Sequence, residues 1–248
     1  MLQSTKLFFL ISIIWLVGCS DENPNVQHRS YSDFKAADQS GLDANILKTL
    51  ITEIENGKYG EIHSLLIRKN DKLVIEEYFE GFKPDQIHNV YSVTKSISSA
   101  LTGIAIDKGY IDNVNHNLLS FFPEYTAFDN WDPGKEDITL ENVLTMSSGF
   151  EWDEWRYGYE DSRNINYQMS VSDDMMKFVL YQPMSTTPGE IFHYTSGGST
   201  LLSGIINNTT GVSVEEFANQ FLFTPLGITN WEWWKGADGK AISGWDYC

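Results

Sequence analysis

Ser92 and Lys95 are the residues whose types and spacing best suit nucleophilic catalysis. They stand at the start of a helix predicted over residues 92–109, where a separation of three places both side chains on one face. A serine hydroxyl attacks well only when a neighbouring base takes its proton. A lysine whose pKa is lowered by burial or by a nearby cation can be that base. The pair therefore predicts an activated serine, and the alternative is that Ser92 only caps the helix.

The spacing alone is not specific, because Ser32 and Lys35 repeat it near the amino terminus. Ser92 differs in context: it follows a predicted β-hairpin and opens a long amphipathic helix that ends at Gly109. Ser32 instead lies in a polar stretch without apolar periodicity. The context favours Ser92 as the reactive serine.

Tyr194 is a second candidate for proton transfer. It lies in the segment TPGEIFHYTSGG, residues 187–198, where a Pro-Gly turn precedes it and a glycine pair lets the backbone pass close to a site. A tyrosine beside a cationic lysine can relay a proton between a nucleophile and a leaving group. The alternative is an ordinary core aromatic with a satisfied hydroxyl group.

Several elements must position these residues. A hairpin is predicted from strands at 62–68 and 72–79, joined by the turn Lys69-Asn70-Asp71. Apolar residues at helical spacing predict a helix from Asp43 to Gly57, and further helical segments are predicted at 139–147, 171–181, 197–208 and 213–222. Two strands alone do not sustain a domain, so the sheet is expected to be incomplete. Either strands are missing at the carboxy terminus, which is the favoured interpretation, or the fold is mostly helical.

Composition excludes several classes of protein. The chain has 248 residues, 42% of them hydrophobic, which is typical of a folded globular protein and not of a disordered tail. Acidic residues outnumber basic ones 34 to 17, and the formal net charge of −17 argues against nucleic-acid binding. Only two cysteines are present and no histidines form a close pair, so neither a metal site nor any cofactor is predicted.

The amino terminus has the features of a secretion signal. Lys6 precedes an apolar run over residues 7–17, and the run ends in Leu16-Val17-Gly18-Cys19. This ending resembles the lipobox of bacterial lipoproteins, which implies a signal peptide over 1–18, lipidation of Cys19 and a flexible tether over 19–42. The residue after Cys19 is Ser20, which by the same resemblance favours the outer membrane, on the periplasmic side of the bacterial envelope. An ordinary signal with an incidental cysteine is the alternative.

Three motifs together carry a family resemblance. The predicted hairpin is followed by YSVTKS at 91–96, ITLENVLTMSSGF at 138–150 and PGEIFHYTSGGS at 188–199. This set resembles the serine β-lactamase-related superfamily, in the branch of class C β-lactamases, D-Ala-D-Ala carboxypeptidases and related esterases. The resemblance implies an α+β fold over residues 43–248, with an antiparallel sheet, flanking helices and a helical subdomain.

The resemblance also implies a role for each matching residue. Ser92 would be acylated, Lys95 would assist proton transfer, and Tyr194 would act as base and acid. Ser196 stands where the family pattern has asparagine, which makes it a candidate for substrate binding and puts β-lactam recognition in doubt. Trp152 and Trp155 fall in a loop that, by resemblance, overhangs the cleft and would form an aromatic substrate wall.

One expected motif has no counterpart after Tyr194. The family's third motif, Lys-Thr-Gly or His-x-Gly, is not found there, and a carboxy-terminally truncated member with missing strands is therefore expected. The favoured function is an envelope-tethered serine hydrolase that acts on an ester, a short amide or a D-amino-acid peptide. The alternative is a catalytically impaired remnant that at most binds peptidoglycan-like peptides. The expected partners are such a substrate and the membrane, reached through the lipid on Cys19.

Overall fold

The computed structural model describes residues 31–126, 130–244 and 246–247. The predicted signal peptide and Cys19 lie outside these residues. The chain divides into two compact units, with the boundary between Gln86 and Ile87. Within the described ranges, no helix has both the length and the apolar character that a membrane crossing requires.

The first unit is a small antiparallel sheet with two helices. Strand β1 (Tyr31–Ser32), helix α1 (Phe34–Gln39) and helix α2 (Ala44–Glu55) precede strands β2 (Ser64–Lys69) and β3 (Lys72–Tyr78), and the sheet order is β1-β3-β2. The predicted hairpin is confirmed, with Lys69 opposite Lys72 and positive φ angles of 48° and 60° at Asn70 and Asp71. These angles are those of a two-residue type I′ turn, which matches the twist of the flanking strands.

The prediction of a tether up to residue 42 is wrong for the part that the structure describes. Residues 31–39 form β1 and α1, and the Asp33 side chain caps α1 by accepting a hydrogen bond of 2.8 Å from the Ala36 N–H. Ala37 is buried in one cluster with Leu47, Val74 and Ile75. The few apolar side chains of this polar stretch are enough to form helix α1, because the sheet of the first unit covers them.

The second unit is mostly helical and is built around one buried helix. Strand β4 (Asn89–Tyr91) pairs with β5 (Asp246–Tyr247) in an antiparallel ladder. The α-helices that follow β4 are α3 (Thr94–Asp107), α4 (Leu140–Leu144), α5 (Ile165–Ser170), α6 (Met175–Leu180), α7 (Ser196–Thr210), α8 (Val214–Ala218) and α9 (Thr224–Leu226). Short 3-10 turns span Leu118–Phe121 and Pro133–Asp137, and a π-helical turn spans Asn219–Phe223.

Helix α7 is the centre of this unit, since every residue from Ser196 to Ile206 is buried and the helix packs against α3, α4, α5, α6 and α8. Glycines allow the close approach: a Cβ atom on Gly204 would lie 2.6 Å from Met176 and 2.8 Å from Phe122. Sheets and helices together give the α+β fold that the sequence predicts.

Candidate functional site

Ser92 lies in the turn between β4 and α3, where its side chain is exposed. The preceding residue, Tyr91, has a φ angle of +46°, and its N–H donates to the Asn89 side-chain oxygen at 2.7 Å. A bulky residue in this left-handed region is strained, and such strain concentrates at functional sites. The turn therefore holds the serine in a fixed and accessible position.

Two side chains meet at the Ser92 oxygen. Lys95 Nζ donates to Ser92 Oγ at 3.2 Å, and the Tyr194 hydroxyl donates to it at 2.9 Å. Helix α3 begins only at Thr94, and its cap residue, Val93, makes no side-chain capping bond. Ser92 is therefore not the plain helix cap that was the alternative interpretation, and its oxygen faces the lysine and the tyrosine.

Lys95 is held by groups that carry no formal charge. Besides Ser92, its ammonium group donates to the carbonyl oxygen of Gly244 and lies 4.8 Å from the centre of the Tyr194 ring. Gly244 approaches closely: a Cβ atom there would lie 3.0 Å from the carbonyl oxygen of Ser196. The positive charge thus stays beside both the serine oxygen and the tyrosine ring, where it favours developing negative charge.

The segment that carries Tyr194 is held by the loop that contains the sequence SSG. The N–H of Gly189 donates to Ser147 O and that of His193 donates to Met146 O, both at 2.7 Å. Gly149 has φ +85°, and a Cβ atom on it would lie 2.3 Å from the Thr186 carbonyl oxygen, so only glycine fits. The segment ITLENVLTMSSGF thus positions the segment that carries Tyr194.

Ser196 does not line the open site. It is 1% exposed, its hydroxyl donates to Glu154 Oε1 at 2.9 Å, and its N–H donates to Glu154 Oε2 at 2.8 Å. Because the first turn of α7 faces the core, the Ser196 side chain points to a buried carboxylate. The expectation of substrate binding by Ser196 is corrected accordingly.

Trp152, like Ser196, does not line the open site, whereas Trp155 lies on the surface beside Tyr194. Trp152 is 2% exposed and packs against Gly197, so its ring has no surface to offer a substrate. Trp155 is 67% exposed, and its ring centre lies 5.5 Å from that of Tyr194. Exposure and burial alternate from residue 151 to residue 155, and this alternation directs the two tryptophans to opposite sides.

Glu154 is the residue that the sequence analysis missed. It is 1% exposed and also accepts hydrogen bonds from the Trp152 indole N–H at 2.7 Å and from the Tyr159 hydroxyl at 2.9 Å. Burial and the Glu154 carboxylate raise the pKa of the Tyr159 phenol, which therefore remains a donor. The signal that could have revealed this buried acid is the position of Glu154, two residues after Trp152 in a stretch where every second side chain is buried.

Comparison with known proteins is consistent with this geometry. A protein-family model described as Beta-lactamase matches residues 63–247. Protein flp of Staphylococcus aureus (strain MRSA252) is 27% identical over 175 residues, which are 67% of this chain and 34% of that protein. The 6-aminohexanoate-dimer hydrolase of Paenarthrobacter ureafaciens is 24% identical over 175 residues, 66% of this chain and 42% of the relative.

The fold is also found in solved structures. The octameric penicillin-binding protein homologue from Pyrococcus abyssi superposes with a TM-score of 0.62 at 23% identity, over 78% of this chain and 45% of that one. The match to the two curated relatives named above covers less than half of the length of each of them.

Proposed function

Because the chain belongs to the Beta-lactamase family, whose model matches residues 63–247, we propose that it is a serine hydrolase that cleaves an amide or ester through an acyl-enzyme on Ser92. The observation that carries this proposal is the convergence of Lys95 Nζ and the Tyr194 hydroxyl on Ser92 Oγ, at 3.2 and 2.9 Å. Both distances are hydrogen-bonding distances, as proton transfer to Tyr194 and charge stabilisation by Lys95 require.

The proposed reaction begins with attack of Ser92 Oγ on the substrate carbonyl carbon. The proton of the hydroxyl passes to the phenolate form of Tyr194, while the Lys95 ammonium stabilises the negative charge. The carbonyl π electrons move to oxygen, and the positive end of α3, which has no side-chain cap, stabilises that oxyanion. Tyr194 then protonates the leaving nitrogen or oxygen as its bond to carbon breaks.

The acyl-enzyme is resolved by water. Tyr194 accepts a proton from the attacking water molecule, the new C–O bond forms, and the proton returns to Ser92 Oγ when the acid product leaves. Trp155 supports substrate binding in this proposal, because its exposed ring lies beside that of Tyr194. The proposed substrates are a small ester, a short amide or a D-amino-acid peptide.

The test is the intact mass of the full chain, solubilised in detergent, after treatment with a fluorophosphonate. An activated serine attacks phosphorus and expels fluoride, so one covalent adduct is expected on the wild-type chain and none on Ser92→Ala. Ser32→Ala is the matched control, since Ser32 has the same spacing to a lysine but donates its hydroxyl to Glu77. This variant should be labelled like the wild type.

The absence of an adduct on a protein with an intact near-ultraviolet circular dichroism spectrum would refute the catalytic proposal. Binding of a D-Ala-D-Ala peptide by that unlabelled protein, measured by calorimetry, would then support the binding remnant. An adduct that persists in Ser92→Ala would show that another nucleophile reacts.

We also propose that the chain is attached to the bacterial envelope through Cys19. The support is the signal-like sequence before it, with Lys6 and the apolar run over 7–17. Metabolic labelling with palmitate should mark the wild-type chain and not Cys19→Ser. Equal labelling of both would overturn the proposal.

A further inference from the structure

Glu154 is a buried carboxylate that the mechanism proposed above does not use. It is 1% exposed, and each of its oxygens accepts two hydrogen bonds. Oε2 accepts from the Trp152 indole N–H and the Ser196 backbone N–H, at 2.7 and 2.8 Å. Oε1 accepts from the hydroxyls of Tyr159 and Ser196, both at 2.9 Å.

These contacts explain how a charge is tolerated in the core. Burial of a carboxylate is costly unless hydrogen bonds or opposite charges compensate it. The four donors are uncharged, but hydrogen bonds to an ionised group are stronger than neutral ones. The Ser196 N–H also belongs to the first residue of α7, where the helix dipole is positive.

The same carboxylate holds both sides of the aromatic contact at the candidate site. On one side, Glu154 precedes Trp155, whose ring lies 5.5 Å from that of Tyr194. On the other side, Ser196 follows Tyr194 by two residues, and its N–H is fixed to Glu154. The backbone before Tyr194 is fixed separately, through the bond from the His193 N–H to Met146 O.

From this arrangement we propose that Glu154 is a positioning residue, which keeps the Tyr194 hydroxyl within reach of Ser92 and holds Trp155 against it. The inference rests on the proposed hydrolase function. Glu154 itself touches neither Ser92 nor the reacting atoms in this assignment. It acts through Ser196 and through the loop that carries Trp155.

The division of donors between the two oxygens allows a specific test. The donors to Oε2 are N–H groups and cannot reverse, whereas the donors to Oε1 are hydroxyls, which can also accept. In Glu154→Gln the amide oxygen can replace Oε2 and the amide NH₂ can replace Oε1, so the network survives without the charge. In Glu154→Ala the network is lost.

The experiment compares the rate of fluorophosphonate labelling of Ser92 in the full-length wild type, Glu154→Gln and Glu154→Ala, per folded molecule. A displacement of a reacting group by about 1 Å costs about 10²-fold in rate, so Glu154→Ala should be slower by about that factor. The labelling rate of Glu154→Gln should stay within a few-fold of the wild-type rate. Glu160→Gln, an exposed glutamate in the same loop, is the control and should react normally.

A second readout does not depend on reactivity. The Trp155 indole resonance, assigned by comparison with Trp155→Phe, should move or split in Glu154→Ala and stay in place in Glu160→Gln. A purely structural glutamate would lower the melting temperature of Glu154→Ala without changing the labelling rate of the folded fraction, and that result would overturn the inference.

The two readouts also separate this inference from the proposed function. If wild-type Ser92 is not labelled, the hydrolase proposal fails, and the Trp155 resonance alone decides whether Glu154 holds the loop. An unmoved Trp155 resonance in Glu154→Ala would overturn the inference whatever the labelling shows.

Discussion

Gly197→Ala tests the packing that places the Glu154 network beside the candidate site. Gly197 is the second residue of α7, and a Cβ atom on it would lie 2.3, 2.6 and 2.8 Å from three atoms of the Trp152 ring. Ordinary van der Waals contact begins at 3.4 Å, so the ring must retreat by about 1 Å. Trp152 is 2% exposed and has little space for this movement.

The expected cost follows from the bonds that resist the movement. A shift of about 1 Å takes the 2.7 Å bond from the Trp152 indole N–H to Glu154 beyond hydrogen-bonding distance. Loss of a hydrogen bond to a charged group costs about 1.5–3 kcal/mol, and alanine recovers about 1 kcal/mol of helix propensity. The displaced Trp152 ring also overpacks the core around it, and the net destabilisation of Gly197→Ala should be about 2 kcal/mol.

Gly103→Ala is the matched control. Gly103 lies inside α3, is exposed, and a Cβ atom on it would meet nothing within 4 Å. Here only helix propensity changes, so this variant should be stabilised by about 0.5–1 kcal/mol.

Thermal unfolding of both variants is the assay. For a chain of this size 1 kcal/mol corresponds to about 2–4 °C, so Gly197→Ala should melt about 4–8 °C below the wild type and Gly103→Ala slightly above it. Equal melting temperatures for the two variants would refute the reasoning. So would a Trp152 indole resonance that does not move in Gly197→Ala.

Three further perturbations have definite expected results. Tyr194→Phe removes the proposed proton carrier, so labelling of Ser92 by the fluorophosphonate should slow by about 10²–10⁴-fold, followed by intact mass over time. Burial opposes ionisation of Asp174, but hydrogen bonds led by that from Tyr125 lower its pKa below the ordinary 3.8. The ionised group therefore stabilises the folded state at neutral pH, and this contribution is lost as the pH falls through the folded pKa. Asp174→Asn should cost at most about 1 kcal/mol in urea unfolding at pH 7, because the side chain is 32% exposed and solvent screens its ion pair with Lys240. The cost should be small well below pH 3.8, where the carboxylate is protonated; an equal loss at both pH values would contradict this. Asp71→Gly creates an Asn-Gly pair at a turn residue with φ +60°, so unfolding of the hairpin unit should require roughly 1 kcal/mol more, and an unchanged or lower urea midpoint would count against the assigned turn type.

Several elements of both units were predictable because their signals are local. The hairpin turn at Asn70 and Asp71 and the glycine that ends α3 depend on backbone preferences of a few adjacent residues. The apolar spacing of α2 likewise follows from the helical repeat within one segment. Such signals do not require knowledge of the rest of the fold.

The start of α3 shows the limit of local signals. The sequence places a helix at Ser92, whereas the helix begins at Thr94 and Ser92 lies in a strained turn. The bond from the Tyr194 hydroxyl, 102 residues away in the chain, accompanies this conformation. No pattern within the helix itself reports on that partner.

By itself, the sequence determined the α+β class, the main helices and hairpin, and the identity of Ser92, Lys95 and Tyr194 as candidates, since residue types, spacing and family resemblance were sufficient. Only the tertiary structure decided which side chains in the 152–196 region face the site. Trp155 is exposed, while Trp152, Glu154 and Ser196 are buried against one another. The physical reason is that burial of a loop residue depends on contacts across more than 40 positions, and a buried carboxylate is tolerated only where folding brings its donors together.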